Sequence, residues 1–309
     1  MSRPLVIGSR GSKLALWQAE QAKARLSALN PEIDIRIEII KTTGDVKTDP
    51  LSVIGGKGVF TKELEDALLD GRIDLAVHSL KDLPTVLPDG LTISAICERD
   101  DPRDALVVRD DLKGRSGSIL NLPENAVVGT SSQRRVAQLK SLRGDVVVKD
   151  VRGNVDTRLR KLDDGQYEAL ILASAGLRRL ELEHRINAAI STEEMVPAVG
   201  QGTIAIETRA DDAFTIETTN ALEHDETRLC CLAERAFLRS LGGGCQFPIA
   251  GHAVIENGEL KLDGLVATPD GAKILRSQLS GPLKNTDEVG SLLANQLIER
   301  GAHDLLNPR

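Results

Sequence analysis

Short apolar runs alternate with longer stretches of 3.6-residue apolar period along the first two thirds of the chain. Leu5 to Ile7 reads as a strand. Ser12 then caps a helix whose Ala15, Ala19, Ala22, Leu26 and Leu29 share one face until Asn30-Pro31 stops it. Ile33 to Ile40 is the next strand. After Gly55-Gly-Lys-Gly58, Thr61 opens a second helix, Gly71 closes it, and Ile73 to His78 reads as a buried strand. Charge and proline interrupt the pattern from Glu98 to Arg103, and a fresh series begins with Ala105 to Val108 and Ala126 to Gly129. Strands alternating with helices predict largely parallel, helix-covered sheets. From about His224 the pattern changes. A helix carrying Leu229, Leu232, Ala233, Ala236 and Leu238 precedes short alternating strands at Ala253 to Ile255 and Leu260 to Val266 and a terminal helix at Val289 to Glu299, which predicts a small α+β unit.

Composition narrows the class. The 309 residues suffice for two or three cores, and 41% hydrophobic with 28% charged residues excludes a disordered tail or a collagen-like chain. Aromatics make up only 2%, so the cores must come from Leu, Ile, Val and Ala, and no row of base-stacking platforms exists. Nucleic acid is therefore a disfavoured partner of this chain, whose net charge is −7. Cys97, Cys230, Cys231 and Cys245 are irregularly spaced and the histidines scattered, so neither a disulfide framework nor a metal site is expected, and a reducing, cytoplasmic setting fits best. The N-terminus runs straight into a strand without an apolar signal core. The longest uncharged apolar stretch, Ala169 to Leu177, is under half of the roughly 20 residues that cross a bilayer. No coiled-coil or exchanged element points beyond a monomer.

Charge placement carries more than net charge. Between Val127 and Arg185, twelve Lys and Arg face eight Asp and Glu, and Arg134-Arg135, Arg152 and Arg178-Arg179 fall where strands or helices begin or end. Gly129-Thr-Ser-Ser-Gln-Arg-Arg135 follows a strand and opens a helix, where free N–H groups, hydroxyls and guanidiniums converge on an anion; a plain Ser/Thr cap with two solvated arginines is the alternative. Val151-Arg-Gly-Asn-Val-Asp-Thr-Arg158 repeats the design. Planar guanidinium forks suit carboxylates, and no nucleotide-binding glycine pattern is present. His78-Ser-Leu-Lys-Asp82 ends a strand, with Lys81 and Asp82 on opposite sides if the segment is extended, and spacing alone does not separate an acid-base role from a surface turn with His78 bonded inside. Gly242-Gly-Gly-Cys245 leaves a thiol on a mobile loop, a candidate nucleophile or attachment point. A Cys-His dyad there would need a distant partner such as His78.

The chain resembles the porphobilinogen deaminase (hydroxymethylbilane synthase) family. The matching segments are Ser9-Arg-Gly-Ser-Lys-Leu-Ala-Leu-Trp-Gln18, Gly55-Gly-Lys-Gly-Val-Phe60, Ala76-Val-His-Ser-Leu-Lys-Asp82, Arg99-Asp-Asp-Pro-Arg-Asp104, Gly129 to Arg135, Arg152 to Arg158, Ala173-Ser-Ala-Gly-Leu-Arg-Arg179, Pro197-Ala-Val-Gly-Gln-Gly202 and Gly242 to Pro248. The resemblance implies an α/β protein of three domains, two lobes resembling periplasmic binding proteins and a small α+β C-terminal domain. Residues 1–98 with 203–220 would form the first domain, 103–197 the second and 224–309 the third, with crossings near Arg99 to Arg103 and Pro197 to Gly202 and a hinge at Gly200 and Gly202. It further implies a transferase that joins four porphobilinogen molecules, with loss of ammonia, on a covalent dipyrromethane cofactor held by a thioether to Cys245, and then releases hydroxymethylbilane. By the same resemblance Asp82 and Arg152 are catalytic, Asp82 stabilising the positively charged azafulvene. Lys81, Asp82, Ser132, Arg134 and Arg135 hold the cofactor, and Arg10, Ser12, Phe60, Arg152, Arg158 and Arg179 bind substrate. The competing reading is a non-catalytic two-lobed carboxylate- or oxyanion-binding protein, which leaves Gly242 to Cys245 unexplained.

Overall fold

A computed structural model of the chain describes residues 3–43, 61–114, 117–244 and 246–306. The chain begins a first compact unit with β1 (Leu5–Ser9), β2 (Ile35–Ile39), β3 (Leu75–Ser79) and β4 (Leu91–Ile96). After Asp100 it builds a second with β5 (Asp104–Val108), β6 (Val127–Gly129), β7 (Val147–Lys149), β8 (Ala169–Ala173) and β9 (Ala188–Ala189). It returns at Thr203 for β10 (Ile204–Arg209), and from Leu229 belongs again to the second unit with β11 (Ile249–Glu256), β12 (Glu259–Ala267) and β13 (Ile274–Pro282).

The first unit's sheet has the order β2-β1-β3-β10-β4, and the second unit repeats this plan as β7-β6-β8-β5-β9. The sheets are not largely parallel. β1 runs parallel to β2 and β3, but β10 is antiparallel to both β3 and β4; likewise β6 is parallel to β7 and β8, while β5 is antiparallel to β8 and β9. The physical reason is the returning chain, which inserts β10 between β3 and β4. Strands so buried on both faces read as continuous apolar runs whatever their direction, so the sequence pattern could not show the reversal.

The helix Lys13–Leu29 starts at Ser12, whose Oγ accepts from Ala15 N at 3.3 Å, and buries Ala15, Ala19, Ala22 and Leu26 against β1 and β3. Leu29 departs from the expected stripe and is 57% exposed, because the helix ends there and Asn30 turns back onto the Leu26 carbonyl. On the other sheet face the helix Lys62–Leu69 packs Leu64, Ala67 and Leu68 on Ile73 and Ala76.

The small C-terminal domain is a three-stranded antiparallel sheet, β11-β12-β13, under the helix Thr286–Glu299. It clusters with the second lobe as one unit. Ala137 and Val196 pack on Ala250, Leu265 and Ala267, and Glu234 accepts from Gly200 N at 2.7 Å and Ala253 N at 2.8 Å. No helix among the described residues is long and apolar enough to cross a membrane.

Candidate active site

In the first unit the carboxyl ends of parallel strands β1 and β3 form a recess, the place where such sheets present ligand-binding groups. Arg10 and Ser12 reach it from the β1 end, Gln18 from the helix Lys13–Leu29, Thr61 from the loop before the helix Lys62–Leu69, and His78, Ser79 and Asp82 from the β3 end. The helix Lys13–Leu29 has no acidic residue in its first turn, so its N-terminal dipole favours an anion beside Arg10 and Ser12. Gln18, 2% exposed, donates to Ser79 Oγ at 2.9 Å and fixes the strand end.

Asp82 lies on a 3-10 turn, Leu80–Asp82, held by Leu80 N donating to Thr203 O at 2.9 Å and Leu83 N to Leu80 O at 3.1 Å. The segment is therefore not extended, and Lys81 and Asp82 are not on opposite sides; on a 3-10 helix successive side chains stand about 120° apart. Asp82 is exposed and faces the recess, whereas Lys81 is half-buried and outside its lining. His78 is buried rather than part of a surface turn, with Nε2 3.0 Å from Glu207 Oε2, and it is among the residues that line the recess.

In the second unit the two anion-type turns stand side by side at the carboxyl ends of adjacent parallel strands β6 and β7. Ser131 Oγ stitches them, donating to Val151 O at 2.9 Å and accepting from Val151 N at 3.1 Å. Ser132 is the N-cap residue of the helix Gln133–Leu142 and makes no capping bond through its own hydroxyl. Arg152 is half-buried in the next turn, where Gly153 adopts φ +105° and Asn154 caps the helix Val155–Asp163 through Thr157 N. Arg158 Nε donates to Gly153 O at 2.8 Å, closing that turn.

Arg134 and Arg135 correct the sequence reading most. They are neither solvated nor simply turned toward a ligand, but buried around a carboxylate the charge count overlooked, Asp104. Arg134 donates to Asp104 Oδ2 at 2.7 Å and Oδ1 at 3.2 Å, and Arg135 to Oδ1 through Nε at 3.0 Å and Nη2 at 2.7 Å. Gln201 Nε2 adds a fifth bond at 2.9 Å. Burial pushes the Asp104 carboxyl up, but the two guanidiniums outweigh it and hold it well below the usual carboxylate range. Arg179 is also buried, donating to Gly202 O at 2.5 Å. Part of the local basic excess is likewise structural. Arg143 pairs with Asp145 and donates to the carbonyls of Ile119, Leu120 and Leu122, and Arg185 pairs with Asp163.

Phe60, Gly55 to Gly58 and Cys245 lie outside the described residues. Gln18, which lines the recess, and Asp104, which Arg134 and Arg135 surround, went unread although both sit inside matching segments. A glutamine buried mid-helix and an aspartate at a strand start announce themselves only through their partners.

A family model described as porphobilinogen deaminase, dipyromethane cofactor binding domain, matches residues 5–217, and one for the porphobilinogen deaminase C-terminal domain matches residues 228–299. The chain belongs to the porphobilinogen deaminase family. Among relatives, the porphobilinogen deaminase of Chromobacterium violaceum is 50% identical over 303 residues, covering 98% of this chain and 96% of that one. That of Synechococcus elongatus is 50% identical over 307 residues, covering 99% and 95%, and that of Chlorobium phaeovibrioides 48% over 313 residues, covering 99% and 98%. Among solved structures the VFT2 domain of Bordetella pertussis BvgS is similar at 16% identity and a TM-score of 0.42, covering 71% of this chain and 86% of that one. The fold assignment rests on the sheet order and the porphobilinogen deaminase match, not on that likeness.

Proposed function

We infer that this protein is a hydroxymethylbilane synthase, a transferase that condenses four porphobilinogen molecules head to tail on a covalent dipyrromethane primer, expels ammonia at each step, and hydrolyses off linear hydroxymethylbilane for tetrapyrrole synthesis. The carrying observation is a family match along nearly the whole chain, at 50% identity to a porphobilinogen deaminase over 98% of its length. The first unit's recess fits the ligand chemistry. Asp82 offers an acceptor for pyrrole N–H groups and a counter-charge for a transient cation, while Arg10, Ser12 and a helix N-terminus suit acetate and propionate.

The site assignment is ours. Cys245 carries the dipyrromethane, which primes the chain when bound; Lys81, Asp82, Ser132, Arg134 and Arg135 hold it; Arg10, Ser12, Phe60, Arg152, Arg158 and Arg179 grip the substrate carboxylates and rings, with Arg152 at the reacting centre. For Arg134 and Arg135 the bonds to Asp104 support a geometry fixed in advance, so that little ordering cost remains when an anion arrives. We place the enzyme in the cytoplasm as a monomer with no nucleic-acid partner. The irregular spacing of the four cysteines and the net charge of −7 support that setting.

Intact-mass measurement of the purified protein is the test. It should show the added mass of two pyrrole units, absent from Cys245→Ala, and the wild type should convert porphobilinogen; a mass equal to the bare sequence with no conversion overturns the reading. Asp82→Asn, at an exposed position, should leave folding unchanged and abolish turnover.

A further inference from the structure

Beneath the recess lies a titratable cluster that this assignment leaves without a task. His78 and Glu207 are in contact at 3.0 Å with side chains 4% and 0% exposed. They share a sheet face. β10 pairs Ala205 with His78, which places Glu207 diagonally across from it, on the side covered by the helix Lys62–Leu69. From that helix Glu65 is buried against the pair, and burial pushes its carboxyl above the ordinary value; the Thr61 hydroxyl pulls the other way and the charge of Glu207 adds to the rise. Among the described residues no Lys or Arg pairs with Glu65 or Glu207. The helix Lys13–Leu29 presents the uncharged Gln18, β1 ends in Arg10, and the turn after β3 carries Lys81 and Asp82.

Among the described residues, two buried carboxylates facing one imidazole leave a surplus negative charge unless the cluster keeps a proton, and an uncompensated buried charge is costly. Of the residues in and against this cluster, His78 and Thr61 are among those that line the recess that holds Asp82.

We propose that His78, Glu207 and Glu65 form a buried proton-exchange cluster serving the recess through the His78 ring, a second proton-handling element beside Asp82. The proposal rests on the condensation chemistry inferred above. Each condensation breaks the C–N bond of a protonated aminomethyl group, whose electron pair leaves with ammonia. It forms a C–C bond from the methylene carbon to a pyrrole α-carbon, and the hydrogen on that carbon departs as a proton while its bonding pair restores the ring. His78 accepts that proton, Glu207 balances the imidazolium, and the proton passes to the departing ammonia, which leaves as ammonium. The cluster ends as it began. Glu65 sets how strongly the pair holds its proton.

The test follows wild type, His78→Asn and Glu65→Gln by steady-state kinetics against pH and by NMR titration of isotope-labelled histidine rings in the holoenzyme. His78→Asn should lower kcat about a hundredfold with KM within about twofold, and should remove one ionisation from the kcat profile. It also identifies the His78 ring signal, and in Glu65→Gln the pH response of that signal and the matching kcat limb should move to lower pH together. A His78→Asn enzyme with wild-type kcat, or with reduced kcat and an unchanged pH profile, overturns the proposal. So does a ring signal that ignores pH. Should His78→Asn not fold, a Glu65→Gln titration superimposable on the wild type overturns it equally. Failure of the wild type itself to consume porphobilinogen sinks the functional reading instead, and the two failures are distinct.

Discussion

Asp104 has no exposed surface and accepts from Arg134, Arg135 and Gln201, so one carboxylate gathers two buried guanidiniums and an amide. Removing its charge strands two buried guanidiniums. Asp104→Asn should cost about 3–5 kcal/mol in denaturant unfolding, the range for breaking a buried pair from one side. The sign with pH follows from linkage. The carboxyl is held below its unfolded value, so its contribution is complete above the unfolded pKa of about 3.9 and fades as pH falls through the folded value. Wild-type stability should therefore drop on acidification below about pH 4, and the Asp104→Asn curve should be flatter there. At this scale the sequence showed which residues carry charge. It could not show that Arg134 and Arg135 face Asp104, because that pairing spans 30 residues and needs β5 and the helix Gln133–Leu142 already in place.

Among the elements, the helix opened by Ser12 and the edge strands β2 and β11 were legible, whereas the central strand β10 and the edge strand β13 were not. Ser12 caps as its sequence context requires, by a local bond within three residues. The third strand of the C-terminal sheet, β13, went unread because Arg276, Ser277, Gln278 and Ser280 interrupt its apolar positions, and as an edge strand it buries little. The expected strand at Leu260 to Val266 is present as β12, and it hides a packing device. A Cβ at Gly264 would lie 2.7 Å from Phe237 Cζ and 2.8 Å from Leu293 Cδ2. Phe237, a fully buried aromatic in a protein poor in them, is what the glycine accommodates. Gly264→Ala should destabilise by about 1–3 kcal/mol through overpacking, seen as a lowered Tm with the cofactor mass retained. A variant with unchanged Tm would show that the helix Thr286–Glu299 shifts aside without penalty.

At the level of the whole molecule the chain passes between its two units after Asp100, after Gly202 and after Arg228. The second passage is tied to the second unit by buried bonds up to its last residue. Arg134 and Gln138 hold Val196 O, Glu234 holds Gly200 N, and Arg179 holds Gly202 O, while Gly200 and Gly202 take φ of +72° and +87°. The third passage falls inside the continuous helix Asp225–Ser240, where no composition change marks it. Processive assembly on one enzyme makes a further demand on the arginines. On the proposed assignment, Arg152→Lys keeps charge but loses the two-point grip, a loss of about 1.5–3 kcal/mol of charge-assisted bonding. Turnover should fall at least about tenfold, with partly elongated product chains accumulating on the protein in mass spectra. A uniform rise in KM without accumulation would count against that role. What the sequence determined alone was local or additive: element type from apolar period, helix starts from capping residues, and family from ordered segments that survive as strings. Strand direction within each sheet, the inward turn of Arg134 and Arg135, and the burial of His78 with Glu207 and Glu65 were decided only by tertiary structure, since each depends on which distant segments come to share one low-dielectric interior.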